Sequence, residues 1–155
     1  MSPGFSYIEL IVTLAILALI VSVASPVVET TIKREHEAQL RTSLREIRNA
    51  IDAYKMAYDD GRILRGENES GYPKVLNDLV LGVPNGLSPA KERIYFLRKI
   101  PSDPMYQGAK VNPEDTWGKR SYESPVENPH EGKDVFDIYS LSHDKGLNGT
   151  PYYLW

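Results

Sequence analysis

IELIVTLAILALIVSVASPVVETTIKREHEAQLRTSLREIRNAIDAYKMAY, residues 8–58, changes its preferred solvent part-way along. From Ile8 to Ala24 only Glu9, Thr13 and Ser22 interrupt the apolar side chains, and those 17 residues, at about 1.5 Å of helical rise each, would cross most of a ~30 Å hydrocarbon layer. Further on, Leu40, Leu44, Ile47, Ile51, Tyr54 and Tyr58 follow at spacings of 4, 3, 4, 3 and 4, the repeat of one helical face. Lys33, Arg34, Glu37, Arg41, Arg45, Glu46, Arg48 and Asp52 fall between them, so this half reads as amphipathic with a solvated or subunit-facing charged side. The expectation is one long helix serving two environments: residues 5–26 in a membrane or an apolar core, and 27–58 on a soluble domain.

Pro26 stands at the junction. It lacks the N–H that an interior helical residue donates, so local chemistry allows either a helix end or a kink near Ser22 to Pro26. The amphipathic repeat beyond it favours a kink. A secretory signal peptide would place basic residues before the apolar run and a small-x-small cleavage site after it. Here Met-Ser-Pro-Gly precedes the run and Ser25-Pro26 follows, so removal by ordinary signal peptidase is not expected. Glu9 is the anomaly, because a carboxylate inside the edge of a hydrocarbon layer costs on the order of 2 to 3 kcal/mol on insertion scales. It is either hydrated at the interface or meets a positive partner.

Outside this helix the chain is ordinary in bulk. Its 155 residues suit one soluble domain plus an extension, and a formal net charge of −3 with 25% charged residues announces no nucleic-acid surface. There is no cysteine, which removes disulfides, thiolate nucleophiles and thiolate metal sites. Nor is there a P-loop, dinucleotide fingerprint, nucleophile elbow or HExxH string. An enzyme is not expected, and no catalytic residues are assigned.

Asp59-Asp60-Gly61 reads as the stop of the long helix. Residues 59–100 read as loops with one or two helical turns at Val75, Leu76, Leu79, Val80 and Leu81, and Ile94 to Ile100 as a short helix or an extended piece. From Pro101 to Trp155 turn residues alternate with β-prone runs, the clearest being Arg120 to Ser124 and Val135 to Leu141, an antiparallel pair. Trp117-Gly118 reads as a buried aromatic followed by a turn glycine. The aromatic end, Tyr152, Tyr153 and Trp155, suggests a plug for the core. The fold class is therefore α+β, a long N-terminal helix packed on a small C-terminal antiparallel sheet.

The string Gly4-Phe5-Ser6-Tyr7-Ile8-Glu9-Leu10 and the apolar run behind it resemble the class III signal of type IV pilins and type II secretion pseudopilins. Tyr72-Pro73, Ile100-Pro101-Ser102-Asp103-Pro104, Asp115-Thr116-Trp117-Gly118, Arg120-Ser121-Tyr122 and Asp134-Val135-Phe136-Asp137-Ile138-Tyr139-Ser140 look like the loops and sheet of the major, G-type pseudopilins, in the same order. The resemblance covers most of the chain. It implies a leader of residues 1–4, cleavage by a prepilin peptidase between Gly4 and Phe5, and N-methylation of Phe5. A single-pass inner-membrane protein would follow, with its C-terminal domain in the periplasm. No Lys or Arg precedes Gly4, so that orientation rests on the resemblance and not on charge.

The implied function is a structural subunit of a type II secretion pseudopilus, a homo-oligomeric filament that promotes protein secretion. Its implied partners are other pseudopilins, the inner-membrane assembly platform and membrane lipid before assembly. Within the filament Glu9 would meet the Phe5 amine of a neighbour, which sets axial register. A type IV pilus subunit for adhesion, motility or DNA uptake is the alternative within the class. A membrane-anchored binding domain that does not polymerise is the alternative outside it. The family often holds calcium in its last loop; here only Asp144 and Asn148 offer side-chain oxygens, so no cofactor is expected and calcium stays open. His143, a lone histidine, makes no metal motif.

Overall fold

The computed structural model describes residues 6–155 apart from 65, 67, 91 and 110, with backbone alone over 23–27. Helix α1 spans Tyr7–Asp59, 53 residues, and its backbone is helical through Pro26, so that proline does not end it. The side-chain surroundings of the kink expected at Pro26 lie outside the described residues. The chain divides into two compact units, Met1–His36 and Glu37–Trp155.

In the first unit the described apolar side chains from Tyr7 to Val21 are exposed all round the helix. Among the described residues no helix is long and apolar enough to cross a membrane.

The second unit is built on the remainder of α1. Leu40, Leu44, Ile47, Ile51, Tyr54 and Tyr58 are all buried, as the 4-3-4-3-4 spacing predicts. Each contributes about 2 kcal/mol of apolar burial. The helix stops where Asp59-Asp60-Gly61 predicts: Gly61 adopts φ +74°, and the N–H groups of Gly61, Arg62 and Ile63 turn back to the carbonyls of Tyr58 and Ala57. Only a residue without a Cβ enters that left-handed region freely.

Helix α2, Asp78–Leu81, is the predicted turn and buries Leu79. The Leu79 carbonyl accepts the N–H groups of Phe96 and Leu97, both at 3.0 Å. Residues Ile94 to Ile100 are not helical: β1, Val83–Pro84, pairs antiparallel with β2, Arg93–Ile94, and the chain then bends to bring Leu97 into the core.

Strands β3, Trp117–Arg120, and β4, Asp137–Ser140, form the second antiparallel pair, with Trp117 opposite Ser140 and Arg120 opposite Asp137. Among the described residues the sheet component is thus two small two-stranded ladders and not one sheet. The expected strand Arg120 to Ser124 is displaced towards the N-terminus, and Val135 to Leu141 is trimmed at both ends. Its reason is Asp134. This buried carboxylate accepts the Ser121 Oγ–H and the Tyr122 N–H, both at 2.9 Å, and a close hydrogen bond from Ser70, which turns the chain out of the ladder after Arg120. Ser124 N–H then closes on the Ser121 carbonyl at 3.0 Å.

Gly118 is consequently a strand residue, not the turn glycine expected. A Cβ there would lie 2.4 Å from the ring of the cross-strand Tyr139, so any larger residue would have to displace that ring. Trp117 is buried as expected, and its Nε1–H donates to the Pro101 carbonyl at 2.7 Å. Of the aromatic end, Tyr152 is buried and Trp155 half-buried against the core, whereas Tyr153 is exposed.

Candidate functional site

Two regions carry the functional expectations, one at each end of the chain. At the N-terminal end Gly4 and Phe5 lie outside the described residues. Glu9 sits in the first turn of α1, where the N–H groups of Glu9 and Leu10 both reach the Ser6 carbonyl. A carboxylate in that turn is favoured by the helix dipole. Its side chain is exposed, and among the described residues no cation pairs with it. Around it Ile8, Leu10, Ile11, Val12 and Leu14 all face outward, and Thr13 returns its hydroxyl to the Leu10 carbonyl at 2.9 Å. The segment therefore presents an apolar cylinder with a single charged side chain near its start.

At the C-terminal end the two oxygen donors weighed for calcium each accept a hydrogen bond from the protein. Asn148 Oδ1 accepts the Thr150 N–H at 3.0 Å within its own loop. Asp144 Oδ2 accepts from Gln107 Nε2 at 3.1 Å. The carbonyls of Asp144, Gly146 and Thr150 accept the N–H groups of Tyr152, Gly149 and Gly146. Among the described residues no group of three or more His, Asp or Glu converges. Calcium wants six to eight oxygens around one point; here Asp144 Oδ2, Asn148 Oδ1 and three loop carbonyls each accept a hydrogen bond from the protein. His143 is exposed and lies against the Tyr153 ring, centroids 5.5 Å apart.

The charged face of α1 is not uniformly solvated, which corrects the sequence expectation for Glu37 and Arg48. Glu37 is buried, and its Oε1 accepts the Leu147 N–H at 2.7 Å and the Tyr152 O–H at 3.0 Å. Burial first, and then the Glu37 contact, push the Tyr152 hydroxyl up to about 12, so it stays a donor. Arg41 lies over the Trp155 ring at 4.4 Å. Arg48 donates to Asp137 at 2.8 Å, to the Ile138 carbonyl at 3.0 Å and to the Trp155 carbonyl at 2.9 Å. These three residues tie the last segment to the helix. Arg34, Arg45, Glu46 and Asp52 are exposed as expected. One signal could have singled out Glu37: continuing the 4-3-4-3-4 stripe backward from Leu40 by three places lands on it.

A cleft of about 700 Å³ opens elsewhere in the second unit, between Tyr54, Tyr58, Tyr72 and Tyr122 on its aromatic side and Lys74 and Asp134 on its polar side. Several of its polar groups are paired: Lys74 with Glu69 at 2.8 Å, and Asp134 with Ser121 and Tyr122. Burial, helped by Asp78 and Glu69, raises the Tyr54 hydroxyl to about 12, which makes it a hydrogen-bond donor and not a base. Compared with known proteins, the chain matches no family model, no curated protein and no solved structure.

Proposed function

We propose that this chain is a structural subunit of a type II secretion pseudopilus, inserted in the bacterial inner membrane by its N-terminal helix and then polymerised through that helix. The observation that carries the reading is the exposed apolar cylinder of α1, Tyr7 to Val21, with Glu9 as its only charge. Such a surface is not stable in water. Covering its eleven large apolar side chains, all of them exposed, is worth roughly 10 to 20 kcal/mol, enough to drive insertion in lipid first and helix-to-helix packing later.

The lone acid supports assembly over simple anchoring. Mature Phe5 would carry a cationic amine, and a neighbour's Glu9 meeting it in low-dielectric surroundings would register the subunits. Stranding either charge costs about 3 to 5 kcal/mol, which penalises misaligned contacts. Other pseudopilins, the assembly platform and the prepilin peptidase are the partners this reading requires. The compact second unit, with its own core, would coat the filament.

The test is intact mass and N-terminal sequencing of the full chain expressed with and without a prepilin peptidase, followed by filament assays of a Glu9→Ala variant. The expected result is a mature chain starting at methylated Phe5, with Glu9→Ala processed but excluded from filaments. A chain that keeps Met-Ser-Pro-Gly beside an active peptidase would overturn the proposal. A filament-neutral Glu9→Ala variant would favour the membrane-anchored binding domain instead.

A further inference from the structure

The loop that ends the chain has the wrong polarity for a cation. Towards its buried centre it directs N–H and O–H donors, from Leu147 and Tyr152, and what they meet is a carboxylate supplied from α1, Glu37. The surroundings are shaped to that carboxylate. A Cβ on Gly146 would lie 2.5 Å from the Trp155 ring, 2.9 Å from Asn148 Oδ1 and 3.3 Å from Glu37 Oε1, so a larger residue there would have to push these side chains aside. Trp155 completes the enclosure, edge-on to Tyr152 with centroids 5.1 Å apart and donating from Nε1 to the Thr150 carbonyl at 3.3 Å.

We propose that the Glu37 carboxylate is the built-in organiser of residues 143–155, occupying the role a bound cation would play, so that this segment orders without calcium. The physical logic is that a loop of this length must be held by something stronger than its own turns. A charged acceptor out of water forms hydrogen bonds about twice as strong as neutral ones. A buried acid with two donors satisfies the loop from within, and a calcium ion would instead need the loop's carbonyls and acids turned inward. The inference concerns the second unit alone and stands whether or not the chain polymerises.

Hydrogen exchange of the full chain in detergent micelles, read by mass spectrometry over residues 143–155, tests it in calcium and in chelator. Exchange in the segment is expected to be the same in both solutions and unaffected by Asp144→Ala. Glu37→Ala should accelerate it about tenfold to a hundredfold, the effect of losing hydrogen bonds to a charged group. Tyr152→Phe, which keeps the ring and removes only the hydroxyl, reads the same contact with less risk to folding and should accelerate it several-fold. Calcium-dependent slowing that Asp144→Ala abolishes would overturn the proposal. So would a segment whose exchange ignores both Glu37→Ala and Tyr152→Phe.

Discussion

Replacing Asp103 by alanine should destabilise the second unit far more than replacing it by asparagine. Asp103 is 4% exposed and works as an acceptor: Oδ1 takes the Met105 N–H at 2.8 Å, Oδ2 the Ser140 Oγ–H at 2.6 Å, and the Leu141 N–H also reaches the carboxylate. Its own N–H donates to Thr116 Oγ1 at 3.0 Å, so the Pro101 to Pro104 loop is pinned to the end of β4 and to the turn before β3. Alanine leaves these side-chain partners without an acceptor in a buried place. At about 1 to 3 kcal/mol for each stranded donor, less some relaxation, the loss is about 3 to 5 kcal/mol. For a domain of this size that corresponds to a fall of roughly 10 to 20 °C in Tm. Asparagine keeps one oxygen for the backbone donors, and the Ser140 hydroxyl can rotate to accept from the amide, so its cost should stay near 1 kcal/mol.

The pH dependence follows from the same burial. Desolvation raises the Asp103 carboxyl above its ordinary value of 3.8, outweighing the hydrogen bonds that act in the other direction. Between the unfolded and folded values the folded chain holds the extra proton. This contribution is therefore fully present below about 3.8 and is lost as pH rises through the folded value. Urea unfolding of the full chain in micelles, followed by near-ultraviolet circular dichroism from pH 3 to 7, measures both effects. Asp103→Asn should remove that acid-side component of the slope. If alanine costs less than 1 kcal/mol, or asparagine costs as much as alanine, the acceptor role is wrong.

Gly118→Ala should cost about 1 to 3 kcal/mol by driving a methyl into the Tyr139 ring, and Tyr139→Leu in the same chain should recover most of it; equal stabilities of wild type and Gly118→Ala in urea would refute the close approach. Arg48→Lys should cost about 1 kcal/mol, since one ammonium cannot serve Asp137, Ile138 and Trp155 together and partial exposure screens the ionic part. Its signature is faster exchange near Trp155 with little change at Leu97, and uniform acceleration would place the effect elsewhere.

Much of this protein is readable from short-range pattern. The solvent change along residues 8–58, the stripe from Leu40 to Tyr58 and the stop at Asp59-Asp60-Gly61 depend on helical geometry and on glycine's freedom at positive φ, both local properties. The N-terminal expectations at Gly4, Phe5 and Glu9 likewise rest on adjacent residues.

What only the tertiary structure decided concerns groups that meet across long stretches of chain. The β3 boundary depends on Asp134 reaching back to Ser121 and Tyr122, and the glycine at 118 on a tyrosine from the facing strand. Glu37, legible as a charge on a helix, became the anchor of the last loop because folding brings Leu147 and Tyr152 to it from more than a hundred residues away. Periodicity says which face of a helix is covered. The cover itself, and whether a charge beneath it finds its donors, is set by the packing of distant segments, where the cost of an unpaired buried group selects the arrangement.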